Sequence, residues 1–205
     1  MIAPATIRLP ADDLCLAFAN TRYWRGRAAP TEEWGGPADL LAWIDAHAGA
    51  PAPARAQLAT DWQAAPAEAA VAFGAAMELR EALYRLFAAH AEAAAPAAAD
   101  IARLNRVLAT HAPRQALLAT PSGLAWAVPA ADPQAVALAP VVWSAGDLLT
   151  GPRLARVRCC DNPECRYLFL DDSKAGSRRW CTMSTCGNRA KAHRHYARRR
   201  AGRVA

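Results

Sequence analysis

Five of the six cysteines lie in the last third of the chain: Cys159, Cys160, Cys165, Cys181 and Cys186, with Cys15 alone near the start. Cys160 to Cys165 is a C-x4-C pair, Cys181 to Cys186 is another, and 15 residues separate them. Two equal short loops, each presenting two thiolates, can converge on one tetrahedral zinc ion with Zn–S distances of about 2.3 Å. Pairing through Cys160 rather than Cys159 gives the matched loops, with Pro163 in the first turn, and leaves Cys159 spare. A four-thiolate site has no open position for water or substrate, so one structural Zn2+ is expected and no catalytic one. The competing readings are reduced thiols packed as small hydrophobes and a redox pair. Packing fits poorly, because Asp161-Asn162-Pro163-Glu164 and Ser177-Arg178-Arg179 are polar flanks.

Past the last cysteine, Gly187-Asn188 reads as a turn into a helix, with Asn188 as its N-cap. From Arg189 to Arg200 no Pro or Gly interrupts until Gly202, a helix stop. Ala190, His193 and Ala197 make a narrow small-residue face, while Arg189, Lys191, Arg194, Arg198 and Arg199 spread over the remainder. Such a helix, fixed at one end by zinc, has a geometry suited to phosphate contacts in a nucleic-acid groove. The plainer reading is a solvated basic helix or a disordered tail. Arg178 and Arg179 are further phosphate contacts, or serve to balance the charge of a four-thiolate zinc. His193 and His195 are not needed as ligands once four cysteines complete the set. Between the cysteine pairs, Tyr167 to Asp172 reads as a short strand, with Phe169 and Trp180 as a small core against the metal. A hairpin carrying one cysteine pair, followed by a second pair opening a helix, is a treble-clef-like layout.

The elements that must position this segment lie upstream. Residues 1–150 carry 10 Lys+Arg against 14 Asp+Glu, a net of −4, whereas residues 151–205 carry 14 against 4, a net of +10. A near-neutral body with a strongly basic appendage suits a polyanion partner. We therefore divide the chain into residues 1–150, a mostly helical α+β domain with a small β element, and residues 151–205, a zinc finger with a basic C-terminal helix. A linker is expected at Thr150-Gly151-Pro152. In the body, helices are expected over Pro37–His47, about 66–92, about 98–110 and about 133–149, and a strand over Gly123–Val128. The strand's partner is left open between residues near 117–118 and the N-terminus. No uncharged apolar run reaches the 18 or more residues of an ordinary membrane span. The N-terminus lacks the pattern of a secretory signal, and a cytoplasmic protein is expected. The body holds no Gly-rich phosphate loop, no His-Glu metal motif and no nucleophile elbow, so no enzyme is expected. Asp12-Asp13 and Glu32-Glu33 read as surface acids. Asn20 to Trp24 is a polar-aromatic cluster, either a pocket lining or a capped helix end packed by aromatics.

Arg158-x-Cys160-x4-Cys165-x-x-Leu168-Phe169-x-Asp171-x-Ser173, followed by Arg178-Arg179-Trp180-Cys181-x4-Cys186-Gly187-Asn188-Arg189-Ala190-Lys191, closely resembles the CGNR zinc-finger family over about residues 156–200. Leu14 to Thr21, Glu78 to Tyr84 and Leu104 to Leu108 resemble the ABATE domain that precedes this finger in a family of stress-induced transcription regulators. The resemblance implies zinc at Cys160, Cys165, Cys181 and Cys186 and DNA binding through the basic residues. Tyr167 stands where the family commonly has Trp, and no ligand position departs from the pattern.

Two classes of function follow. The first is a zinc-dependent DNA-binding transcription regulator, acting on duplex DNA, whose N-terminal domain binds a small-molecule effector or a second copy as a homodimer. The alternative is a zinc-finger protein-interaction adaptor, or an RNA-binding protein, without direct DNA readout. Zinc release through thiolate oxidation would add a redox response to either.

Overall fold

The computed structural model describes residues 5–7, 11, 13–110, 114, 116–121, 123–128 and 132–192. The elements run β1 (Ala5–Ile7), α1 (Leu14–Ala19), β2 (Arg22–Tyr23), β3 (Thr31–Glu32), α2 (Pro37–Trp43), α3 (Ala52–Ala64), α4 (Pro66–Ala91), α5 (Ala98–Thr110), β4 (Ala116–Thr120), β5 (Gly123–Val128), α6 (Pro133–Thr150), β6 (Val157–Cys159) and β7 (Leu168–Leu170). A π-helical turn (Ile44–Ala48) extends α2, and a 3-10 turn (Pro152–Arg156) follows α6. The body is helical with small sheets, and the cysteine-rich segment closes the chain.

Two helices organise the core. α4 runs 26 residues and turns Leu79, Leu83, Leu86 and Phe87 inward at helical spacing. α6 is buried from Ala135 through Ala145, because α1, α3 and α5 all pack against it. A helix apolar on every side is what such a central position requires. Asp132 starts it by accepting a hydrogen bond from the Gln134 amide at 2.9 Å, and Pro133 occupies its first turn. Pro140 sits inside the helix.

The small sheet has the order β1-β5-β4, antiparallel throughout, with Ile7 opposite Trp126 and Leu118 opposite Ala125. Both partners left open for the strand at 123–128 are therefore used, one on each edge. Helix α3 has no counterpart among the expected elements. Its sequence is mostly alanine with polar residues, and it is held by two anchors one turn apart, Leu58 and Trp62. Val71 carries the helical period of α4 but projects outward, 75% exposed.

The finger hairpin enters the main core. Val157, Leu168 and Leu170 belong to the same buried cluster as Leu16, Phe18, Leu79 and Leu83. Asn20 fixes the register: its amide donates to the Leu168 carbonyl at 2.8 Å, and its carbonyl accepts from the Leu168 amide at 3.1 Å. Asn20 thus stands in for a missing strand beside β7. This resolves the Asn20–Trp24 cluster at its first residue as a helix end that pins a distant strand. Glu32, expected as a surface acid, pairs at 2.5 Å with Arg80, whose side chain is 1% exposed. A buried guanidinium needs such partners, and Thr21 and Glu81 complete its set.

Candidate metal centre

β6 and β7 pair with Val157 opposite Leu170 and Cys159 opposite Leu168. Alternation along β6 points Cys159 and Cys160 to opposite sides. Cys160 follows the strand at the knuckle, where its amide donates to the Tyr167 carbonyl at 2.9 Å and the Cys165 amide donates to the Asn162 carbonyl at 2.9 Å. Arg166, at φ +57, turns the chain back into β7. The second pair is placed by a short helix. Thr182 caps it, accepting from the Thr185 amide through its hydroxyl, and Cys186 lies in the Met183–Gly187 π-turn, which runs on as helix through residues 188–192. The expected N-cap at Asn188 is displaced by this arrangement. Asn188 is already inside the helix, and its side-chain amide donates to the Ser184 carbonyl at 3.3 Å.

The sulfurs of Cys160, Cys165, Cys181 and Cys186 all lie within 4.8 Å of one another. Cys165 to Cys181 is 3.7 Å and Cys181 to Cys186 is 3.8 Å. A tetrahedron with Zn–S of about 2.3 Å has edges of about 3.8 Å, so the cage matches the ion. Without a cation the sulfurs share protons instead. Thiols of Cys165 and Cys181 donating to Cys160 push its pKa down to about 2. Cys165 and Cys181 are themselves pushed up, first by their bonds to Cys160. A bound cation would take the place of those protons and let the cysteines ligate as thiolates. The centre is one structural Zn2+ held by these four residues. Asn162 donates to the Cys186 sulfur at 3.4 Å, an outer contact that orients the ligand, and Phe169, Trp180 and Trp24 pack around the sulfurs. The spare thiols lie elsewhere: burial pushes Cys159 up to about 11 and Cys15 up to about 12.

Trp24 comes from the body. Its loop between β2 and β3 docks on the knuckle, with the Arg25 amide donating to the Cys165 carbonyl at 3.3 Å and the Gly26 amide to the Glu164 carbonyl at 3.1 Å. Gly26 approaches so closely that a Cβ would fall 1.6 Å from the Pro163 carbonyl oxygen. Trp24 stands in the Asn20–Trp24 cluster of the sequence, where no local pattern connects it, or Gly26, to the metal. A glycine beside aromatic and basic residues was the available signal.

Of the expected nucleic-acid contacts, Arg178, Arg179, Arg189 and Lys191 are exposed. Arg178 donates to the Cys181 carbonyl at 2.7 Å and lies over Phe169. Arg179 pairs with Asp161 at 2.6 Å and lies over Trp180. Arg189 reaches Glu164 at 3.4 Å and stacks over Trp24, 5.0 Å from its ring centre. These three hold the finger together on one side while exposing charge on the other. Arg194, Arg198, Arg199, His193 and His195 lie outside the described residues.

The family named ABATE, described as "Putative stress-induced transcription regulator", matches residues 12–152. The chain belongs to the ABATE family. The CGNR zinc finger matches residues 156–199 of this ABATE protein, and the tetrapeptide Cys186-Gly187-Asn188-Arg189 carries the fourth ligand. No curated protein shows significant similarity to the chain. Both matched families are a regulator and a zinc finger rather than enzymes, and the ABATE protein is accordingly a zinc-binding member of a regulator family. No helix among the described residues is long and apolar enough to cross a membrane.

Proposed function

We propose that this ABATE protein is a cytoplasmic, zinc-dependent DNA-binding transcription regulator. The C-terminal finger contacts duplex DNA, and the body, residues 1–150, binds an effector or a second copy. The observation that carries the reading is the four-sulfur cage at the root of a helix that exposes Arg189 and Lys191. The sequence beyond the described residues holds Arg194, Arg198 and Arg199. Zinc supplies folding energy and orientation here and no chemistry on a substrate. Phosphate contacts from Arg179, Arg189, Lys191 and the arginines beyond would position the finger on the duplex.

Fluorescence anisotropy with duplex DNA over a salt series tests it. Binding by the zinc-loaded chain is expected to weaken steeply with salt, with a log–log slope of about −0.9 for each phosphate neutralised. Arg189→Ala and Arg194→Ala should each flatten it. Flat salt dependence, or no duplex binding with zinc loaded, removes the DNA reading in favour of the adaptor, and preference for structured RNA in direct competition replaces it with an RNA-binding one.

A further inference from the structure

A cleft of about 520 Å³ lies along the seam between body and finger. Arg22 and Arg25 enter it from the β2–β3 segment, Glu81, Tyr84 and Arg85 from α4, and Arg166 from the zinc knuckle. The charges around it do not balance. Glu32 belongs to Arg80, Asp100 to Arg85 and Glu92 to Arg166. Arg22 and Arg25 are left to share Glu81, which Arg80 also contacts at 3.1 Å. Arg25 takes both of its oxygens, at 2.6 and 3.1 Å, and stacks 3.8 Å above the Tyr84 ring centre. Arg22 reaches only one of them, at 3.6 Å, and is 39% exposed. The Nε of Arg25, in a side chain only 9% exposed, has no hydrogen-bond partner among the described residues. A buried donor without an acceptor costs about 1–3 kcal/mol, so this corner is short of acceptors, and guanidinium groups pair well with carboxylate and phosphate oxygens.

We propose that this cleft binds a small molecule carrying a phosphate or carboxylate group, held by Arg22 and Arg25 with Arg85 and Arg166 at its sides. The proposal rests on the effector reading above and names the effector's charged group. A nucleic-acid backbone is the poorer occupant, since Glu81 and Glu92 line the same walls and would repel a track of phosphates. The seam gives binding a consequence. Arg25 donates through its amide to the carbonyl of the ligand Cys165, and the Tyr84 hydroxyl donates to the Arg166 carbonyl at 2.9 Å. An anion bridging Arg25 and Arg166 tightens the body against the knuckle, so its presence sets how firmly the finger is held.

Isothermal titration of the zinc-loaded full chain with inorganic phosphate, and separately with succinate, tests the site against sodium chloride of equal ionic strength. One of the two anions should titrate saturably, identifying the group the effector carries, and chloride should not. Arg22→Gln should weaken that binding about tenfold, with zinc content unchanged. Arg85→Gln, should Arg22→Gln fold poorly, should give a smaller loss in the same direction. Non-saturating heats from both anions, or affinity unchanged in both variants, overturns the proposal. Duplex binding by the same preparation without either anion separates the two readings. Saturable anion binding without duplex binding keeps the site and removes the regulator, and the reverse removes the site alone.

Discussion

At the scale of single residues, the close approach of Gly26 to Pro163 is the sharpest constraint on the chain. The obstruction is backbone, which cannot swing aside, so Gly26→Ala must lift the loop off the knuckle and strip two amide hydrogen bonds from it. The expected loss is about 2–3 kcal/mol, read from the urea midpoint. Gly74→Ala is the contrasting change. Gly74 lies on the exposed face of α4, where nothing would meet a Cβ, and alanine there should stabilise by about 0.5–1 kcal/mol. The carboxylates around Arg80 set a pH response. Burial alone would raise Glu81 and Glu32, but hydrogen bonds and charge from Arg25 and Arg80 outweigh it and hold both carboxyls below the usual 4.5. The folded state therefore binds protons less readily than the unfolded chain. Their contribution is complete above pH of about 4.5 and is lost as the pH falls through the depressed folded values. Urea midpoints from pH 7 to pH 3 should fall on the acid side, and Glu32→Gln should be less stable at neutral pH with a shallower acid loss.

At the scale of elements, what the sequence made legible followed from local rules. Leu79, Leu83, Leu86 and Phe87 repeat at the helical period, and Pro133 with Asp132 announces the start of α6. The cysteine spacing identified the cage because ligand chemistry restricts which residues and gaps can serve. Helix α3 was not legible, since Leu58 and Trp62 are too few to make a stripe among alanines. Local cap preference points to Asn188 as the start of the finger helix, whereas the helical turn opens at Met183 under the Thr182 cap. Nor was the pairing of Asn20 with Leu168, 148 positions away, open to any local pattern. That pairing is where the fold puts its weight on one side chain. Asn20→Ala leaves the Leu168 amide and carbonyl buried without partners and should cost about 2–4 kcal/mol. Asn20→Asp should recover only part, since a carboxylate can accept from the amide but cannot donate to the carbonyl. Chemical denaturation of the three proteins checks the order.

At the scale of the whole molecule, the question is whether finger and body stand or fall together. A finger on a free tether would melt on metal removal and leave the body's transition where it was. Here the hairpin that carries Cys160 also delivers Val157, Leu168 and Leu170 to the core built by α1 and α4. Full burial of one such side chain contributes about 1.5–3 kcal/mol. The hairpin is short, with three residues in each strand, and the cage at its tip is what closes it. Stripping the zinc with a chelator should therefore loosen the body as well as the finger. For a chain of this size each kcal/mol shifts the midpoint by about 2–4 °C. Losing several should lower the main calorimetric transition by on the order of 10 °C. Cys181→Ser, which removes a ligand outside the hairpin, should reproduce the shift without touching the core. A body transition that stays in place after chelation, with only finger signals lost, would show that the core contacts of β6 and β7 survive without the metal, and that the two parts are coupled by proximity alone.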